Sequence, residues 1–237
     1  MMDAISGKRK QRARRRLQPD ERRAQLLRCG LSVFAERGIR RAVHADVAKV
    51  ADCAVSTVFL YFPKRDDLVE SVLAEVQRFY VELAEQVHAS QASAPHVLLE
   101  HGRRFRASIE SHPDHAYILL DWAASVQSPV WRGYLDLVDR MVKNHRSTIE
   151  RGIREGSIAH GVDAEAAARI IIGYAQMSAQ MKLSKYEPER AEQISQRIVT
   201  AMLSPPMTDG MTDGMTDGMT DGTTDGTTDG IASEPAA

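Results

Sequence analysis

His44–Leu68 reads HADVAKVADCAVSTVFLYFPKRDDL. Its pattern predicts two short helices across a tight turn. Over Ala45 to Ala51, Val47, Ala48 and Ala51 recur at helical spacing on one face. Asp52-Cys53-Ala54 then breaks the period. A second helix over about Val55 to Phe62 is stopped by Pro63, which disfavours the helical region for the residue before it. Helix, short turn, short helix is the helix-turn-helix, whose second helix lies in the DNA major groove.

Outward from this stretch, the composition predicts a helical chain with a substantial core. Of 237 residues, 43% are hydrophobic and 5% aromatic, and runs of β-branched residues are rare. No apolar run spans a bilayer and no signal peptide is visible, so the expectation is a cytoplasmic protein with no membrane partner. Cys29 and Cys53 are then expected to be reduced. The net charge of −1 hides a division: residues 207–237 carry seven acids and no Lys or Arg, leaving 31 basic and 25 acidic residues in 1–206. That basic balance suits a nucleic-acid partner.

Periodicity and punctuation predict nine helices: about 19–37, 45–51, 55–62, 64–87, 95–110, 113–126, 129–155, 163–183 and 187–203. The expected organisation is a basic disordered arm (1–18), a helix-turn-helix domain (19–64), a helical ligand-binding and dimerisation body (65–206), and an acidic tail (207–237). In the first helix Ala24, Leu27, Leu31 and Phe34 form the expected buried stripe, with Cys29 opposite and exposed. In the second helix of the motif, Val58, Phe59 and Phe62 are expected to pack inward. Val55, Ser56, Thr57, Leu60 and Tyr61 then face DNA, where Thr57 and Tyr61 can donate to phosphates. Arg40, Arg41, His44 and Lys64 are the expected flanking contacts. Met207–Gly230 is six tandem tetrapeptides, four MTDG and two TTDG, matching no solenoid period and expected to be disordered.

Thr57-Val58-Phe59-Leu60-Tyr61-Phe62, followed by Lys64 and Asp67-Leu68, resembles the TetR family signature. His44-Ala45-Asp46 with Tyr61-Phe62-Pro63 looks closer still to the LuxR/HapR group of quorum-sensing master regulators within that family. The resemblance covers residues 12–80 well and the remainder loosely. It implies an all-α homodimer in which an N-terminal three-helix head joins a C-terminal helical bundle. The head binds a pseudo-palindromic site on double-stranded DNA. By the same resemblance Arg12, Arg14 and Arg16 stand where a basic arm enters the minor groove. Two departures stand out. Ala54 replaces the usual Ser N-cap. Leu60 replaces an Asn able to hydrogen-bond a base edge, so the operator sequence differs.

Residues 164–181, AEAAARIIIGYAQMSAQM, are apolar nearly all round, which predicts a helix buried on most sides. The family places its dimer interface on the last long helices, here about 130–152 and 164–182, with Ile171, Ala175 and Ser178 as the expected contacts. Tyr117, Leu120, Trp122, Met141 and Tyr174 are candidates to line a cavity for a small apolar effector, against the plain alternative of core residues. His112 and His115 (HPDH) lack further ligands nearby, so no metal or other cofactor is expected. No P-loop, dinucleotide glycine pattern, HExxH or G-x-S-x-G occurs, so no enzyme is expected. Two roles are open: a quorum-sensing regulator, or an effector-responsive repressor of a neighbouring efflux or metabolic gene. The rival from another class is a helical enzyme or adaptor with an incidental helix-turn-helix.

Overall fold

The computed structural model describes residues 17–204. The expected arm residues Arg12, Arg14 and Arg16 and the repeat tail lie outside the described residues. Among those described there are nine α-helices and no strand: α1 Pro19–Arg37, α2 His44–Val50, α3 Val55–Tyr61, α4 Arg65–His88, α5 Ala94–Ser111, α6 Pro113–Ala124, α7 Trp131–Arg154, α8 Ala164–Leu183 and α9 Pro188–Met202. The sequence boundaries agree within two residues, because Pro or a capping acid marks most starts. Prolines open α1, α6 and α9, where their missing N–H costs nothing. Asp46 and Asp67 turn back on their helix starts, accepting from the backbone N–H of Val43 at 3.1 Å and of Lys64 at 2.8 Å. Asp163 caps α8, accepting from the N–H groups of Glu165 and Ala166 at 3.0 Å.

The largest core begins in α1–α4, with Leu26, Phe34, Val47, Val58, Phe62, Leu68, Val72 and Val76 at its centre. It continues without a break into Ile118 and Trp122 of α6 and Leu137 and Met141 of α7. A second core joins α5, α7, α8 and α9 through Leu98, Val142, Ile149, Ala168, Ile171 and Val199. Helix α4 therefore belongs to both the small N-terminal head and the larger body.

Three packing expectations are corrected. In α1 the buried face is Leu26, Gly30, Leu31, Val33 and Phe34, whereas Ala24 is exposed and Leu27 half-buried. The stripe sits one residue further round, because α1 is covered by both α4 and α6. Cys29 is consequently half-buried, and its burial pushes the thiol pKa up. Helix α8 is not covered all round within one chain: Ile170 is 49% and Met177 45% exposed.

Near the end of α7, a Cβ added at Gly152 would lie 2.6 Å from the Ala94 Cβ and 2.7 Å from the Ile158 Cδ1. Gly152→Ala should therefore cost about 1–3 kcal/mol by overpacking. A thermal melt should show Tm lowered by several degrees, and an unchanged Tm would mean that this junction relaxes freely.

Candidate functional site: a reading head above an apolar cavity

Helices α2 and α3 meet across Ala51–Ala54, where Asp52 takes the left-handed conformation at φ 49°. The Cys53 N–H closes the turn by donating to the Ala48 carbonyl at 3.0 Å. Val47, Ala48, Val58 and Phe62 are buried and set the angle between the two helices. This leaves one face of α3 open. Leu60 is 75% exposed, and Val55, Ser56 and Phe59 are exposed beside it, with Thr57 and Tyr61 half-buried at the edges. Ala54 supplies no side-chain cap; the Thr57 N–H instead donates to its carbonyl at 2.9 Å.

Two side chains depart from the sequence expectation together. Phe59, expected inward, is outside; His44, expected toward DNA, is 5% exposed. Their rings stack at 4.1 Å, and His44 Nε2 lies in hydrogen-bond contact with the Phe62 carbonyl at 2.7 Å. The ring of His44 thus bridges the start of α2 to the end of α3. Arg40, Arg41, Lys49 and Lys64 are exposed around this surface. Arg65, which no sequence signal singles out, ties the preceding loop to α4. Its Nε donates to the Ala42 carbonyl at 3.1 Å and its Nη2 donates to the Ile39 carbonyl. The head also meets the body through a polar contact: the Ile39 N–H donates to Asp121 Oδ2 on α6 at 2.7 Å.

Below the head, α4–α9 line a partly open cavity of about 110 Å³. Leu120, Met141 and Tyr174, three of the five expected lining residues, are on its wall. The other two are elsewhere. Tyr117 points outward at 49% exposure and is absent from the wall. Trp122 is buried in the head–body core, where its indole N–H donates to the Val130 carbonyl at 2.7 Å. Ile171, Ala175 and Ser178, expected at a dimer interface, also face the cavity. The outer strip of the same helix is Ile170, Gly173 and Met177, adjoining Ile198, Ala201 and Met202 of α9 in an apolar groove. The expected contacts and the exposed strip differ in helical phase, which a segment apolar on several sides specifies only weakly.

The cavity is apolar with two polar margins. At one, Arg106 donates to Ser195 Oγ at 2.9 Å and pairs with Glu192, while the Tyr174 hydroxyl meets Ser195 Oγ at 2.9 Å. At the other, His101 and His145 reach the wall and meet His88. Burial lowers the pKa of His88 to about 4 and of His101 to about 3, and that of His145 well below its usual value. His112 and His115 lie elsewhere, each 4.7 Å from the Phe79 ring. No helix among the described residues is long and apolar enough to cross a membrane.

Residues 26–72, which run from α1 through the two helices of the motif into α4, match the family of bacterial regulatory proteins described as the tetR family. Over those residues the chain resembles that family. It is similar to the HTH-type transcriptional regulator LuxR of Vibrio harveyi, with 36% identity over 138 residues. That match takes in 55% of this chain and 62% of the Vibrio protein, so the chain spans less than two thirds of that relative. The fatty acid metabolism regulator protein of Bacillus subtilis (strain 168) is 25% identical over 156 residues, 63% of this chain and 77% of that protein. Among solved structures, the transcriptional regulator FadR from Bacillus subtilis in complex with stearoyl-CoA superposes with a TM-score of 0.65. It is 19% identical, and the match covers 76% of this chain and 97% of that one. The likeness shows that the TetR-type fold extends from the head through the whole body.

Ser178 Oγ, on the cavity wall, is buried without a hydrogen-bond partner among the described residues. An unpartnered buried hydroxyl costs about 1–3 kcal/mol. Ser178→Ala should therefore hold or raise Tm; a marked fall would reveal a polar group or water that satisfies the hydroxyl.

Proposed function

We propose that this chain is a TetR-type transcriptional regulator that binds a pseudo-palindromic DNA site as a homodimer and answers to a small apolar effector. The observation that carries the DNA-binding part is the open face of α3. Three exposed side chains that can reach bases, Val55, Ser56 and Leu60, project from it between exposed cations. Thr57 and Tyr61 at its edges suit phosphate oxygens, as do Arg40, Arg41 and Lys64 around it. Leu60 has no hydrogen-bonding group, so it reads by apolar contact, for which a thymine methyl is the partner in the major groove. His44 holds the two helices together and is left out of the reading set. Phe59 joins the exposed face in its place. Arg12, Arg14 and Arg16 form a basic arm that reaches the minor groove.

The outer strip of α8 and α9 is the dimer interface. Ile170 and Met177 are large apolar side chains with little to cover them in one chain, and two half-sites on DNA call for a two-fold protein. The cavity supports the effector, and the bound stearoyl-CoA in the Bacillus FadR structure makes an acyl compound the first class to test. This favours the effector-responsive repressor. The similarity to the Vibrio regulator LuxR supports the quorum-sensing role, and the two are compatible when the effector signals cell state. In either role the chain is a cytoplasmic regulator and not an enzyme, with a basic arm, a reading head, a sensing and dimerising body, and an acidic tail.

Selection from a random duplex library should enrich a two-fold site, and a helical enzyme or adaptor would enrich none. On that site Leu60→Asp should weaken binding at least tenfold, about 1.4 kcal/mol, by setting a carboxylate against phosphates. Deleting residues 1–16 should flatten the salt dependence of binding by about 0.9 for each phosphate that the arm neutralises. An unchanged slope would remove the arm from the interface.

Ile170→Glu and Met177→Glu should each give a folded monomer by sedimentation velocity and lose operator binding. A folded dimer carrying either change would sink the proposed interface.

A further inference from the structure

His88 closes α4, His101 lies on α5 and His145 on α7, and the fold brings the three imidazoles together at one margin of the cavity. Their ring centroids are 5.1 Å (His88–His101), 4.7 Å (His88–His145) and 4.8 Å (His101–His145) apart. One nitrogen from each ring lies within 4.8 Å of the others. The hydrogen bonds orient these nitrogens. His145 Nδ1 lies 2.9 Å from the Met141 carbonyl, to which it can only donate, so Nε2 carries the lone pair. A ligating histidine is ordinarily held by such a bond from its other nitrogen. His88 Nδ1 meets Thr148 Oγ1 at 2.7 Å and leaves Nε2, which stands 3.1 Å from His101 Nδ1. In a tetrahedral zinc site with bonds of about 2.0–2.1 Å, neighbouring ligand nitrogens are about 3.4 Å apart. One edge of the set is therefore close to ligand spacing, and bringing the third nitrogen from within 4.8 Å to that spacing takes a side-chain movement of at most about 1.4 Å.

We propose that His88, His101 and His145 form a three-imidazole site for a divalent transition-metal ion of the zinc class, with the fourth position open to the cavity. Neutral imidazoles favour zinc, copper, nickel and cobalt over magnesium or calcium, which prefer oxygen. The three rings are neutral at pH 7 because they are buried, so their lone pairs are not masked by protons. Arg151 is the opposing charge near His88, and it is engaged: Nη2 donates to the Ala92 carbonyl at 3.1 Å and Nη1 lies 3.5 Å from Glu155 Oε2. His101 and His145 are on the cavity wall, so a water molecule or a donor atom of a molecule in the cavity completes the shell. The site stands independently of the DNA-binding reading.

The test uses the full-length, chelator-stripped protein and Co²⁺ as the probe. One equivalent per chain should produce the intense visible bands of four-coordinate Co²⁺, Zn²⁺ should displace them, and Zn²⁺ should raise Tm by mass action. His145→Gln should abolish the bands, whereas His160→Gln, which alters an exposed histidine, should keep them. Thr148→Val keeps all three ligands and removes only the hydroxyl at His88 Nδ1, so it should weaken uptake about tenfold. That variant decides the matter if His145→Gln fails to fold. Absence of stoichiometric uptake, weak six-coordinate bands, or uptake unchanged in both His145→Gln and Thr148→Val would overturn the site and leave a hydrogen-bonded histidine cluster.

Discussion

The apolar core shared by α1–α4, α6 and α7 is the constraint on which the rest depends. Helices α2 and α3 have seven residues each, too short to be stable alone in water. They persist because Val47, Ala48, Val58 and Phe62 are buried against longer helices. The same burial leaves α3 with one free face, and that face is the candidate reading surface. The His44 ring and the Arg65 guanidinium add polar ties between backbone segments that the core alone would leave loosely registered.

The continuity of this core joins the two candidate sites. Helix α6 contributes Leu119 and Leu120 to the cavity wall and Asp121 to the Ile39 N–H of the head. Adjacent residues of one helix thus touch the cavity and the head. A shift of α6 that repacked the cavity would move the acceptor of that hydrogen bond. Any molecule bound in the cavity could affect the head through this contact only by unequal affinity for two arrangements of α6.

The polar margins of the cavity differ in character. Arg106, Glu192, Tyr174 and Ser195 make a charged, fully engaged network between α5, α8 and α9. The histidine cluster is uncharged, because desolvation outweighs every favourable contact its protonated forms make. A molecule entering the cavity meets a guanidinium at one side and neutral nitrogen donors at the other, with hydrocarbon between.

The sequence by itself determined the helices, their ends and the identity of the head. These follow from local causes: helical periodicity, prolines that cannot continue a helix, acids that turn back on a start, and a signature contained within His44–Leu68. It also determined Leu60 as an outward residue. Helical phase was decided only by the tertiary structure wherever a segment was apolar on several sides. Residues 164–181 could not announce that Ile171, Ala175 and Ser178 face a cavity while Ile170 and Met177 face out, since hydrophobicity is nearly equal round the helix. The exchange of Phe59 and His44 was equally hidden: which ring goes inside turns on an acceptor, the Phe62 carbonyl, whose position exists only after α2 and α3 pack. The same holds for His88, His101 and His145. No motif spacing links them, and they become one group because α4, α5 and α7 cross at the depth where each carries its histidine.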